Sequence, residues 1–248
     1  MAKVARALAA VVLLYALYLY TLPAAPRQAA PAAALSQETR ILTLPALRRY
    51  AAVISLPEGG QARLCGARLA RQGGAGLILE QAGEYRVYCA LFDHAADADR
   101  ACQRVAEQTG YAPQTELLSC PGARVKLSAN AAQMEAVTQA MDCLEELPGQ
   151  MQQLASALDA GETQRQGAQA LTEVWRTQAL DALEALEKTL AGEEDAFCRQ
   201  TIKALAELCD DLTAAAEAAG EVGLSSLLRR GGAAAECAYV RLVNGMYP

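Results

Sequence analysis

GEYRVYCALF, residues 83–92, sets an arginine between two tyrosines and alternates polar with apolar side chains. Successive strand residues face opposite ways, so Arg86, Tyr88 and Ala90 point to one side and Tyr85, Val87, Cys89 and Leu91 to the other. The preceding GLILEQ, residues 76–81, reads as a second strand, and AGEY as the tight turn of a hairpin. Aromatics are only 5% of the 248 residues. Spending two of them beside one arginine marks either the wet face of an ordinary sheet or a surface that binds something.

Working outward, RRYAAVISL (48–56) is a β-branched and aromatic strand stopped by Pro57 and the Gly59-Gly60 turn. Ala62, Cys65, Leu69 and Ala70 then recur at helical spacing until Gly73-Gly74. Beyond the hairpin, Asp93 is placed to cap a helix with Ala98, Ala101, Cys102, Val105 and Ala106 on its inner face. Gly110 stops that helix, and Gln114 to Ser119 forms a last strand. The order β-α-β-β-α-β is the split βαβ, or ferredoxin-like, arrangement: four strands with both helices on one face. The other face is left to solvent or a ligand.

The C-terminal half, residues 126–248, carries helical periodicity throughout. Ser128 is a plausible N-cap for a stripe of Met134, Val137, Met141, Leu144 and Leu147, interrupted at Pro148-Gly149 and resumed by Met151, Leu154 and Leu158. Leu171, Trp175, Leu183, Leu186 and Leu190 make a second inward stripe, broken at Gly192, and Phe197, Ile202, Leu205, Leu208, Leu212 and Ala216 a third. Gly231-Gly232 is expected to precede a last short helix. Such helices with short turns fold back as an antiparallel bundle.

At the other end, Lys3 and Arg6 precede an apolar run from Ala7 to Leu22 with tyrosines 15, 18 and 20 near its outer end. With its flanks the run is roughly 19 residues, about 28 Å as a helix, close to a bilayer core. Residues 1–23 are therefore expected to be a transmembrane anchor with the N-terminus in the cytoplasm, a cleaved signal peptide being the rival. Residues 24–46, rich in proline and alanine, read as a spacer before a domain at 47–121. The expected fold class is α+β: transmembrane helix, ferredoxin-like domain, helical bundle.

The net charge of −6 and pI near 5.0 exclude a basic nucleic-acid footprint. Eight cysteines accompany a single histidine, His94, with no CxxC pair, so no zinc site or other metal site is expected. Cys65, Cys102, Cys143, Cys198 and Cys209 fall on apolar helix faces as small hydrophobes, and Cys89 with Cys120 is the first pair to inspect for a disulfide. No phosphate loop, nucleophile elbow or HExxH occurs, and the acidic pairs at 193–195 and 210–211 suit solvated helix ends. Neither enzyme activity nor a cofactor is expected.

Three segments together resemble a SPOR domain, the sporulation-related repeat: RRYAAVISL, ARLCGARLARQGGAGLILEQ and GEYRVYCALFDHAADADRACQRVAEQTGY. The resemblance covers roughly 70 residues, less than a third of the chain, and implies a sheet face that binds peptidoglycan glycan strands. Carried over by position, Arg86 matches the family's third-strand arginine and Ser55 the serine ending its first strand, with Tyr50 and Tyr88 as neighbouring glycan-binding candidates. It implies a bacterial cell-wall-binding protein acting in cell division or sporulation; the anchor reading places it in the cell membrane with its bulk extracytoplasmic, and the bundle is expected to recruit a protein partner. Ala52 stands where the family usually has glutamine, Ile54 where it has glycine, and Ala90-Leu91 replaces a Gly-Pro corner. The alternative is therefore a structural protein–protein interaction scaffold whose divergent SPOR fold no longer binds glycan.

Overall fold

A computed structural model describes residues 37–190 and 195–246. In chain order they form β1 (Glu38–Leu44), β2 (Leu47–Leu56), α1 (Gly59–Arg71), β3 (Leu77–Gln81), β4 (Glu84–Phe92), α2 (Ala95–Thr109), β5 (Gln114–Cys120) and β6 (Ala123–Ala129), then α3 (Ala131–Asp159), α4 (Arg165–Thr189), α5 (Ala196–Ala216) and α6 (Glu221–Asn244). Four strands make one sheet in the order β3-β4-β2-β5, every neighbour antiparallel. Each β-α-β crossover skips one position, and a strand of the other unit fills the gap.

The alternation of β2 and β4 determines what the first face meets. Ala52, Ile54, Leu56, Val87 and Cys89 pack against Ala62, Cys65 and Leu69 of α1 and Ala101 of α2. Close approach of α1 depends on Gly66, where an added Cβ would lie 2.8 Å from the Gly76 carbonyl oxygen. Gly76 itself sits at φ +59, where L side chains are strained.

β1 and β6 form a second, two-stranded sheet that prolongs the β2–β5 ladder. Leu44 faces Ala123 and Leu47 faces Cys120, so one register runs across the breaks at Pro45-Ala46 and Pro121-Gly122. Leu42, Leu44, Val125 and Leu127 turn onto the bundle core. The stretch expected to be spacer up to residue 46 thus contains a strand from Glu38 onward. Its partner lies some eighty residues away, so no local hairpin signal announces it. The same strand pairing displaces the expected cap at Ser128: Asn130 caps α3, accepting from the Gln133 backbone N–H at 3.0 Å while Gln133 Oε1 accepts from the Asn130 N–H at 3.1 Å.

Two expected breaks are absent. α3 runs unbroken through Pro148-Gly149, because Met141, Leu144, Leu147, Met151, Leu154 and Leu158 stay in phase on one buried face. α6 runs through Gly231-Gly232, which are contact points rather than ends. A Cβ on Gly231 would lie 2.6 Å from Met151 Cε and 2.9 Å from Asp211 Cβ, and one on Gly232 3.0 Å from the Pro148 carbonyl oxygen. The glycines let α6 cross α3 at close range, and that close packing offsets the helix propensity lost.

The expected fold class is corrected accordingly. The described residues form an α+β structure of six helices and two sheets, with layer and bundle in one compact unit. No helix among them is long and apolar enough to cross a membrane. The segment read as the anchor, residues 1–23, lies outside the described residues, as does most of the spacer.

Candidate functional site

The second face of the four-stranded sheet was expected to stand open. It carries α6 instead: Ala233 and Cys237 pack on Ala51, Val53, Tyr88 and Leu91, with Leu77, Leu79 and Leu118 at the margins. Small residues on both sides, two of them alanines, bring helix and sheet together.

Strand parity holds up to Cys89 and then fails. Val53 pairs with Tyr88 but Ala52 pairs with Ala90, leaving Cys89 as an extra residue in a β-bulge. Leu91, which strict alternation puts on the side of Val87 and Cys89, is thereby turned beneath α6 beside Tyr88, while Phe92 joins the α2 side.

Of the four glycan-binding candidates, Arg86, Tyr88 and Ser55 share the α6 face and Tyr50 does not. Tyr50 has the parity of Ala52 and Ile54, and its hydroxyl accepts from Arg48 Nη2 at 2.7 Å, with that guanidinium 5.5 Å from its own ring centroid. Tyr88 is 3% exposed. Burial pushes its phenol up to about 12, Cys237 and Glu116 adding to the rise and Arg86 opposing it. Arg86 Nη1 donates to Glu116 Oε2 at 2.6 Å, and the two side chains are 33% and 29% exposed. Ser55 is exposed and lies opposite Arg86 in the ladder. The arrangement offers a neutralised guanidinium and one hydroxyl, with the Tyr88 ring face covered.

Polar contacts pin α6 to the layer along its length. Ser226 Oγ donates to the Gly74 carbonyl at 2.7 Å, Arg229 Nη1 to the Gly73 carbonyl at 2.6 Å, and the Tyr239 hydroxyl to the Pro45 carbonyl at 2.9 Å. Between them Glu236, 3% exposed, accepts from Arg49 Nε at 3.1 and 3.2 Å and from Gln152 Nε2 at 3.4 Å. Burial raises the Glu236 carboxyl above its ordinary range, and the Arg49 guanidinium partly offsets that rise. Arg49 also pairs with Asp93, which lies one residue before the α2 cap; His94 takes the cap position without a side-chain bond. The buried Glu236–Arg49 contact escaped the sequence reasoning, although a glutamate between Ala233, Cys237 and Val240 was its signal.

Cys65, Cys89, Cys120, Cys143, Cys209 and Cys237 are buried free thiols, and Cys102 is a half-buried one, so Cys89 and Cys120 form no disulfide. Burial pushes Cys89 and Cys237 up to about 12 and Cys143 and Cys209 to about 11, far from the thiolate range a nucleophile needs. Among the described residues no group of three or more His, Cys, Asp or Glu is placed to hold a metal ion. No family model, no curated protein and no solved structure matches the chain.

Proposed function

We propose that the protein is a structural interaction scaffold, in which the split-βαβ sheet is a packing platform for the chain's own bundle and not a glycan receptor. The observation that carries the reading is α6 seated on the candidate face, with Tyr88 in the interface core and Arg86 ion-paired to Glu116. Sugar recognition by a sheet draws on exposed aromatic faces and unengaged donors, and here both are committed internally. Support for partner contact comes from apolar side chains left outside: Leu171 and Val174 project one turn apart from α4, 40% and 58% exposed, and Leu64 of α1 is 72% exposed.

The second reading, peptidoglycan binding at the division septum or during sporulation, rests on Arg86 and Ser55, which keep some exposure at the edge of α6. Co-sedimentation with amidase-treated sacculi tests both. Wild type and Arg86→Ala should each stay in the supernatant. Retention of wild type that Arg86→Ala loses would overturn the scaffold reading in favour of glycan binding.

A further inference from the structure

β4 outruns its neighbour β3. The ladder between them ends where Leu77 faces Tyr88, and the last bond on that flank is from the Ala75 N–H to the Cys89 carbonyl at 2.7 Å. Beyond it, Ala90 to Phe92 have no strand beside them on that side among the described residues. The space that β3 would have filled is a cavity of about 310 Å³, bounded by Arg104 and Gln108 of α2 and by Gln152 and Ser156 of α3. A second cavity of about 540 Å³ shares Leu91, Phe92, Gln152 and Ser156 and carries the slot on past Asp93.

A bare strand flank calls for a partner with in-plane N–H and C=O groups, and that partner is another extended backbone. The walls suit it: Gln72 and Gln108 carry amides that donate and accept, while Gln152, whose N–H donates to Glu236, keeps its amide oxygen as an acceptor. From Cys89 to Asp93 the slot spans roughly five residues, about 16 Å of strand. Its two ends differ in charge. At the end closed by Gly73-Gly74 stand Arg229 and Arg104, and Arg104 has no carboxylate partner among the described residues, whereas Arg229 is held by Asp159 at 2.7 Å. At the other end Asp93 is paired with Arg49, which lines the slot too, and Asp97 with Arg100, so the uncompensated charge there is Glu162, which pairs with no cation among the described residues.

A chain antiparallel to β4, and so in line with β3, would bring its C-terminus to Arg104 and its N-terminal side to the acidic end. The turn at 73–76 blocks it from running further. We propose that this slot binds the free C-terminus of a partner protein: about five extended residues added as a strand to β4, with the terminal carboxylate at Arg104. The proposal rests on the scaffold reading and names the partner's chemistry.

The test titrates the ¹⁵N-labelled full chain with a random pentapeptide library bearing free carboxyl ends, followed by amide-resolved NMR. The same library as C-terminal amides, and again with alternate backbone nitrogens methylated, serves as the comparison. The free-acid library should shift amides between Cys89 and Asp93 and bind at least tenfold more tightly than either comparison library. Arg104→Glu should abolish the preference for acid over amide, and Ser156→Trp should block binding while leaving the rest of the spectrum in place. No shifts in that strand, or equal affinity for acid and amide, overturns the proposal. A silent slot in a protein that also ignores sacculi removes this inference alone, whereas retention on sacculi that Arg86→Ala loses removes the scaffold reading beneath it.

Discussion

The two faces of the central sheet are covered by different physics. On the first, α1 and α2 present Ala62, Cys65, Leu69 and Ala101 to Ala52, Ile54, Leu56 and Val87, and the contact is apolar almost throughout. On the second, α6 presents only Ala233 and Cys237 to the apolar centre and adds a row of polar bonds, from Ser226 and Arg229 through Glu236 to Tyr239. Helices inserted between consecutive strands of the chain are tied to their sheet by short connections, so burial alone suffices to seat them. α6 arrives after three intervening helices, and directional bonds fix where along the sheet it lands.

The largest expected effect separates a covered second face from an open one. Tyr88→Ala should lower the unfolding free energy by about 3 kcal/mol, the range for removing a buried aromatic. Arg86→Ala should cost less than about 1 kcal/mol, since its pair with Glu116 is about one-third exposed and solvent-screened. Urea unfolding followed by circular dichroism measures both. Equal, small losses would mean that α6 does not bury the Tyr88 ring.

Glu236 allows the polar side of the contrast to be sharpened through pH. Its carboxyl is raised by burial in the folded state and returns to the ordinary value on unfolding. A folded value above the unfolded one gives stability that is fully present below the unfolded pKa and lost as pH rises through the folded one. Arg49, with Asp93 behind it, and Gln152 face the group. Glu236→Gln keeps an acceptor for Arg49 and removes the titration, so its melting temperature relative to wild type should climb between pH 4 and pH 8. A constant difference across that window would show that burial does not raise the Glu236 carboxyl.

How much of this was legible in the sequence follows the same division. The hairpin, the bodies of the first two helices and the strand at 114–120 are announced by local periodicity and by glycine stops, whereas β6 at 123–129 falls where helix was expected. Parity in YRVY correctly groups Arg86 with Tyr88 on one side, and nothing in those four residues says what will cover that side. Leu91 was misplaced because a bulge leaves no mark in an alternating pattern: Cys89 and Ala90 look like any two strand residues. Gly231-Gly232 and Pro148-Gly149 read as breaks, since local propensity treats them as such, while tertiary contact between α3 and α6 keeps both helices intact. β1 was hidden for the opposite reason, its alternation being clear only beside a partner far along the chain.

The smallest expected effect decides whether the two faces belong to one cooperative structure. The β3–β4 turn holds Ala82 at φ 52 and Gly83 at φ 83, both in the left-handed region that a two-residue hairpin turn requires. Alanine is strained there, whereas asparagine tolerates it, so Ala82→Asn should stabilise the hairpin by about 0.5–1 kcal/mol. Residue 82 is exposed and touches neither covered face. Trp175, the single tryptophan, is 6% exposed in the bundle core and reports on unfolding there. If α6 couples layer to bundle, the hairpin substitution should move the Trp175 fluorescence midpoint as far as the circular-dichroism midpoint. A shift confined to the strand signal would mean that the layer melts independently, and that the polar bonds of α6 position it without joining the two halves thermodynamically.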